Sequence, residues 1–155
     1  MRALIQRVSS ATVSIDGEKL GSITTGFVVL LGVGEGDSQE DASYIVDKTL
    51  NLRVFPNDAG RFDQSLLDIN GGLLVVSQFT LYTDTRKGRR PSFTGAAPPE
   101  VALPVYESTV ELFKASCPHV VTGHFAEHML VGIQNDGPVT IMLDSADRLT
   151  PRRQG

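Results

Sequence analysis

Three hydrogen-bonding side chains, Ser77, Gln78 and Thr80, end an otherwise apolar run that begins at Leu73. Buried polar groups need partners, so such a strand end either satisfies neighbouring backbone or faces a ligand. Four cations follow within five residues: Arg86, Lys87, Arg89 and Arg90, with Gly88 among them and Pro91 at the exit. The whole chain, by contrast, has a formal net charge of −4. A compact positive patch on a negative body points to an anionic partner. The polar strand end beside it suits work on one reactive group of an anionic polymer. Thr80 is the obvious nucleophile by chemistry. A lone threonine needs a base, however, and no histidine lies near it in sequence.

A second stretch, "NDGPVTIML" from Asn135 to Leu143, places Gly137-Pro138 between two apolar segments. Proline offers no N–H and glycine no Cβ, so the pair presents bare carbonyls in a tight space. An X-Pro bond is also where a cis peptide can occur. The plainer reading is a hairpin turn, since Asp-Gly is a common turn pair. Arg7 shares a strand face with Ala3 and Ile5. An inward arginine needs an acceptor, and carbonyls are acceptors, so Arg7 is the expected brace of the Gly-Pro pair.

Other motifs carry less. "HFAEH", His124 to His128, has the H-x-x-E-H spacing of a zinc peptidase class, but its flanks read as strands and offer no helix to align the histidines. "GVGEGD" lacks the Gly-Lys-Ser/Thr ending of a phosphate loop and reads as a glycine-rich turn. Cys117 precedes Pro118 at a helix end and reads as core. No metal ion and no cofactor are expected.

The elements that must position these residues are legible from periodicity. Arg2–Val8 alternates as a strand. Thr12–Ile15 and Lys19–Ile23 flank Asp16-Gly17 as a hairpin. The apolar run that opens at Gly26 reads as a strand buried on both faces, ending at Gly32 to Gly36. Ser38 to Asn51 is a helix, capped by Ser38 with Asp41 three residues on, and Ala42, Ile45, Val46, Thr49 and Leu50 face the core. Leu52–Phe55 is a short strand stopped by Pro56, followed by a turn-rich loop. Leu73–Tyr82 is the next strand. Glu100–Ser116 is a second helix with Leu103, Tyr106, Val110 and Phe113 in its stripe. Val120–Phe125, Met129–Gln134 and Val139–Leu143 are closing strands. Many strands with two separated helices do not alternate as βαβ throughout. The expected class is therefore α+β with mostly antiparallel sheets, as one domain over residues 1–145 and a tail, 146–155, that frays.

At 155 residues, with 41% apolar and 21% charged residues, the composition is that of an ordinary globular chain. A run of membrane length is absent, and the N-terminal decapeptide is too polar for a signal core. One cysteine allows no intrachain disulfide. These features favour the reducing cytoplasm. The acidic pI near 5.3 excludes general coating of DNA or RNA but permits local contact at the basic patch.

With both stretches in hand, the chain resembles the D-aminoacyl-tRNA deacylase (D-tyrosyl-tRNA deacylase) family. "SQFTL" at Ser77–Leu81 and "NDGPVT" at Asn135–Thr140 look like that family's two signature motifs. "MRALIQRVSSATV", "LNLRVFPNDAGRFDQSLLD" and "DTRKGRRPSF" match its pattern too, so the likeness runs from Met1 to about Leu143. It implies the family's fold, with barrel-like packing of sheets in a cytoplasmic homodimer. It implies hydrolysis of the ester between a D-amino acid and the 3′ end of tRNA, and action on glycine carried by tRNA. Active sites would lie at the subunit interface, with no membrane and no DNA among the partners. By the same resemblance Gly137-Pro138 is cis, enters the partner's site and selects chirality. Ser77, Gln78, Phe79 and Thr80 would lie against the scissile ester. Backbone N–H groups of Phe79 and Thr80 would stabilise the oxyanion, with help from the ribose 2′-hydroxyl. Phe125 and Met129 would contact substrate, and the four cations of the loop would hold tRNA phosphates. One departure stands. The family shows a small Gly-Ala pair after this phenylalanine, whereas Phe125 is followed here by Ala126, Glu127 and His128, a bulkier wall. Two rivals remain open on the residues alone: a non-catalytic RNA-binding module using the basic loop, and a threonine-nucleophile hydrolase of small esters or amides.

Overall fold

In the computed structural model, which describes residues 1–152, eight strands and two α-helices form an α+β fold. Strand β1 (Arg2–Ile15) is its spine. Its first half pairs antiparallel with β3 (Gly26–Gly32), its second half with β2 (Glu18–Ile23), and its other edge along nearly its whole length with β8 (Leu130–Asp144). The Asp16-Gly17 turn closes the β1–β2 hairpin with both residues at positive φ, 50° and 81°, as a two-residue hairpin turn demands. From β3 the sheet continues in parallel through β6 (Gly72–Ser77) to β7 (Val120–Thr122). It then nearly closes on itself. A Cβ added at Gly21 of β2 would lie 2.4 Å from Val121 Cγ1 of β7, so only glycine lets these strands approach.

This curvature explains why β3 and β6 are near-continuous apolar runs. Phe27, Val29, Leu73 and Val75 face one way, into a core shared with the helices α1 (Gln39–Asn51) and α2 (Pro99–Ser116). Val28, Leu74 and Val76 face the other way and pack with Val8 and Val13 inside the curved sheet. Both faces are buried, as is usual for parallel strands covered on each side. Helix α1 buries the five residues its periodicity marks, together with Asp41. At its start the Asp41 carboxylate accepts from the Ser38 N–H at 2.9 Å and from the Ser38 hydroxyl at 3.0 Å. Among the described residues no helix is long and apolar enough to cross a membrane.

Several expected boundaries move. The strand expected over Leu73–Tyr82 ends at Ser77, because its partner β3 ends at Gly32. The chain then bends at Gln78, whose N–H bonds the Leu31 carbonyl at 2.8 Å, and Phe79–Tyr82 forms a 3-10 helix. The two strands expected around Gly137-Pro138 are one long strand, β8. Its pairing slips between Gln6↔Thr140 and Val8↔Asn135, so residues 136–139 bulge out opposite Arg7 rather than forming a hairpin turn. The strand expected over Leu52–Phe55 forms only from Phe55: Leu52–Val54 lie outside it, and it ends at Pro56 itself. Phe55–Pro56 (β4) pairs with Phe62–Gln64 (β5) in a small hairpin, where an edge position tolerates the missing N–H. Strand β7 ends at Thr122 rather than Phe125. The tail expected to fray instead forms a 3-10 helix over Ser145–Leu149. Ser145 is buried and accepts from the Met1 ammonium, and Arg148 meets Asp41 at 3.3 Å. Residues 153–155 of that tail lie outside the described residues.

Candidate active site

The end of β6, the 3-10 helix and the segment after β7 come together around a cavity of about 640 Å³. Ser77, Gln78 and Phe79 form one wall, and Phe125 to Met129 with Val131 form the opposite one. Ala97, Pro98, Pro99 and Ala102, where α2 begins, make the floor. The lining is mostly apolar, with Ser77, Gln78, Glu127 and His128 as its polar exceptions. This is the character of a site that encloses a flat organic group and orients it by a few contacts.

The 3-10 helix supplies the polar chemistry. Its first internal bond runs from Leu81 N–H to the Gln78 carbonyl at 3.3 Å. The N–H groups of Phe79 and Thr80 precede that bond and have no partner among the described residues. Helix starts leave such donors free; Phe79 lines the cavity and Thr80 follows it outside the lining, and free donors so placed can hold a developing oxyanion. The Thr80 hydroxyl accepts from Gln78 Nε2, while no imidazole or carboxylate touches it among the described residues. Gln78 and Thr80 thus meet through the turn, not by sharing a strand face. Phe79 is 54% exposed, and its ring packs edge-on against Phe93, with centroids 5.0 Å apart.

The opposite wall is held from behind. Phe125 packs on Tyr106 of α2 at 5.7 Å between centroids, and the Tyr106 hydroxyl donates to the Val75 carbonyl at 3.2 Å. Burial pushes the Tyr106 phenol up to about 12, so it stays a neutral donor. Ala126 sits at φ 61°, the left-handed region where glycine is at ease and alanine is not. The "HFAEH" segment is a turn, not a helix. His124 Nδ1 lies 3.6 Å from Glu127 Oε2, and the histidines are not aligned as a zinc helix would align them. Cys117 is buried, with its sulfur near the carbonyls of Gly71 and His119.

Beyond the 3-10 helix the basic loop is pinched by an Asp84–Ser92 bridge. Arg86 is not a free cation. Its guanidinium grips Asp84 with Nη2 to Oδ2 at 2.6 Å; this hydrogen bond holds the Asp84 carboxyl below its ordinary range and raises Arg86. Lys87, Arg89 and Arg90 are exposed and form no ion pair among the described residues. The loop therefore offers three available charges, with the fourth spent on its shape.

Arg7, Gly137 and Pro138 are brought together, but not to this cavity. The Gly137-Pro138 bond is cis. Arg7, 8% exposed, donates from Nε to the Asp136 carbonyl at 2.9 Å and from Nη1 to the Val54 carbonyl at 2.6 Å. Asn135 closes the bulge: its Oδ1 accepts from the Val139 N–H at 2.9 Å. Gly137 has φ 140°, and a Cβ there would meet Val139 Cγ2 at 2.7 Å and Arg7 Nη2 at 3.1 Å. Gly137 and Pro138 themselves are exposed, and neither they nor Arg7 line the cavity of the same chain. Sequence reasoning missed Asn135, Tyr106 and Asp84 as supports. Only Asp84 had a local signal, an acid two residues before Arg86.

Comparison with known proteins places the chain in a family. A "D-aminoacyl-tRNA deacylase" from Roseiflexus castenholzii is 53% identical over 154 residues, which is 99% of this chain and 98% of that protein. One of the same name from Thermosipho africanus is 53% identical over 145 residues, covering 94% and 97%. The solved structure named "c-Myc DNA Unwinding Element Binding Protein" is 41% identical and superimposes with a TM-score of 0.88 over 93% of this chain and 98% of its own. A probable eukaryotic D-amino acid tRNA deacylase, only 15% identical, shares the fold with a TM-score of 0.78 over 92% and 98%. The profile of the family described as D-Tyr-tRNA(Tyr) deacylase matches residues 4–144, a span that holds the cavity, the basic loop and the Gly-Pro bulge alike. On that match and on relatives at half identity over nearly its whole length, the chain belongs to the D-Tyr-tRNA(Tyr) deacylase family.

Proposed function

We propose that this protein hydrolyses the ester joining a D-amino acid to the 3′ end of tRNA, releasing both, and that it also clears glycine carried by tRNA. One observation carries the reading: two free backbone N–H groups, of Phe79 and Thr80, open a 3-10 helix between an aromatic cavity and an available cationic loop. The terminal nucleoside enters the cavity between Phe79 and Phe125, with Met129 at its side. The ester carbonyl meets the two N–H groups, which stabilise the charge that develops on its oxygen. Gln78 and Ser77 orient the groups around it. Water attacks with help from the neighbouring ribose 2′-hydroxyl, since among the described residues no base contacts Thr80 to activate it. Lys87, Arg89 and Arg90 hold the phosphates behind the terminal nucleotide.

Chirality is read by Gly137-Pro138, which Arg7 holds by the carbonyl before it. The pair is exposed and remote from its own chain's cavity, so in this reading it serves the cavity of a second copy, in a homodimer with sites between subunits. It blocks an L side chain by shape. Glycine has no side chain to block, hence the predicted action on glycyl-tRNA. The place of work is the cytoplasm, where charged tRNA is found.

The test is to incubate the purified protein with matched D- and L-tyrosyl-tRNA and follow free tyrosine. Release from the D form alone is expected. Binding without release would leave an RNA-binding module, and release from small D-esters lacking tRNA would favour a simple esterase.

A further inference from the structure

We propose that Phe62, at the tip-side strand of the β4–β5 hairpin, is a positioning residue for Gly137-Pro138, acting through Arg7. The inference rests on the stereochemical role given to that pair above. Arg7 is a buried guanidinium that forms no ion pair among the described residues. A buried charge without a counter-ion is costly unless its surroundings supply partial negative charge. Two carbonyls do so in the plane of the guanidinium, those of Asp136 and Val54. The third contact is the Phe62 ring, whose centroid lies 5.5 Å from Arg7 Cζ, within reach of a cation–π attraction.

Phe62 is otherwise hard to explain. It is 59% exposed, so it is not a core residue, and β5 is only three residues long. The hairpin is nevertheless firmly placed. Asp63, next in the chain, is gripped by Arg53, whose Nε also donates to the Asp63 carbonyl at 2.6 Å, and Asn57 reaches the same carboxylate at 3.3 Å. This anchoring fixes β5 so that Phe62 stays over Arg7. The hairpin thus holds Arg7 from two directions, by the Val54 carbonyl just before β4 and by the ring from β5. Arg7 in turn fixes the carbonyl that precedes Gly137. A loop distant in sequence from the Gly-Pro pair therefore sets where that pair points.

Phe62→Leu keeps an apolar side chain of similar reach but removes the ring face, while Phe62→Tyr and Phe62→Trp keep it. Two readouts apply, on variants whose thermal midpoints match the parent. In the first, Phe62→Leu should raise the rate on L-tyrosyl-tRNA relative to the D form by about two- to fivefold, the range of an exposed cation–π contact, with Tyr and Trp restoring the parent ratio. In the second, NMR should show the Arg7 Nε–H exchanging faster with solvent in Phe62→Leu than in the parent or the Tyr variant. Unchanged selectivity together with unchanged exchange would overturn the proposal, as would a Leu variant that behaves like the Tyr variant in both. If the parent protein hydrolyses neither isomer, the proposed reaction falls, and the exchange measurement alone decides whether Phe62 positions Arg7.

Discussion

Thr80 carries the hydroxyl that chemistry would choose as a nucleophile, yet its oxygen accepts from Gln78 and meets no base among the described residues. Its backbone N–H, with that of Phe79, is the more useful group. Two substitutions separate these roles. Thr80→Val keeps the N–H and removes the hydroxyl; it should retain at least about a tenth of the parent kcat/KM, whereas loss of a covalent nucleophile would cost about a thousandfold. Phe79→Pro removes one N–H at a first helical position, where proline is tolerated, and should cost about a hundredfold or more, the scale of one lost oxyanion donor. Kinetics on D-tyrosyl-tRNA decide both, and a trapped acyl-enzyme on Thr80 would refute the assignment. The sequence named these residues but not their geometry. A strand was expected through Tyr82, and nothing local in "VVSQFTLY" says that β6 loses its partner where β3 ends at Gly32. Arg7 was readable because Ala3, Ile5 and Arg7 are spaced to share a buried face, and burial alone demands acceptors for its guanidinium.

At the scale of elements, what was legible had local causes. The α1 cap is an example. Burial works to raise the Asp41 carboxyl, but the Ser38 N–H, the Ser145 and Ser38 hydroxyls and the N-terminal ammonium outweigh it and lower it from the ordinary 3.8. A depressed carboxylate adds stability above its unfolded value, and that stability is lost as pH falls through the lower folded value. Asp41→Asn should therefore cost about 1 kcal/mol near pH 7, typical of a lost cap, and the gap to the parent should close only below about pH 4. Urea unfolding across that range checks it; a gap independent of pH would mean that charge plays no part. The basic loop was legible as a charge cluster, but not the division of labour within it. Arg86 braces Asp84, so Arg89→Ala with Arg90→Ala should lower the salt slope of tRNA binding by about two. Arg86→Ala should change that slope less and loosen the loop instead. Equal slopes for all variants would remove the loop from the interface. The brace of the β8 bulge, Arg7, was legible, but the bulge itself was not: two strands were expected, because the slip in pairing is set by β1, more than a hundred residues away in sequence. Strand β5 was read as part of a loop for a related reason: its place beside β4 is held by Arg53 and Asp63 rather than by strand propensity.

At the scale of the whole molecule, the cavity and the Gly-Pro bulge, which the proposed reading joins in one site, lie apart within a single chain. The cavity lies at the end of β6, while the exposed Gly-Pro bulge lies on β8 and is absent from the cavity's lining. Strand β8 also leaves Leu130, 75% exposed, and Met142, 50% exposed, turned to solvent. If two copies pair so that each bulge enters the other's cavity, catalysis and selection become separable by subunit. Gly137→Ala should disturb selection. Its Cβ would crowd Val139 and Arg7, and its backbone sits at φ 140°, where side chains are strained. Such a protein keeps an intact cavity and should hydrolyse L-tyrosyl-tRNA measurably. Phe79→Pro protein keeps an intact bulge and should be nearly inactive. When Gly137→Ala is unfolded and refolded with an excess of Phe79→Pro, nearly every working cavity faces an intact bulge from the other subunit. The L-activity should then fall toward the parent level while D-activity per working cavity is kept. If selection were made within one chain, the excess partner would change nothing, because each working cavity would still carry its own damaged bulge.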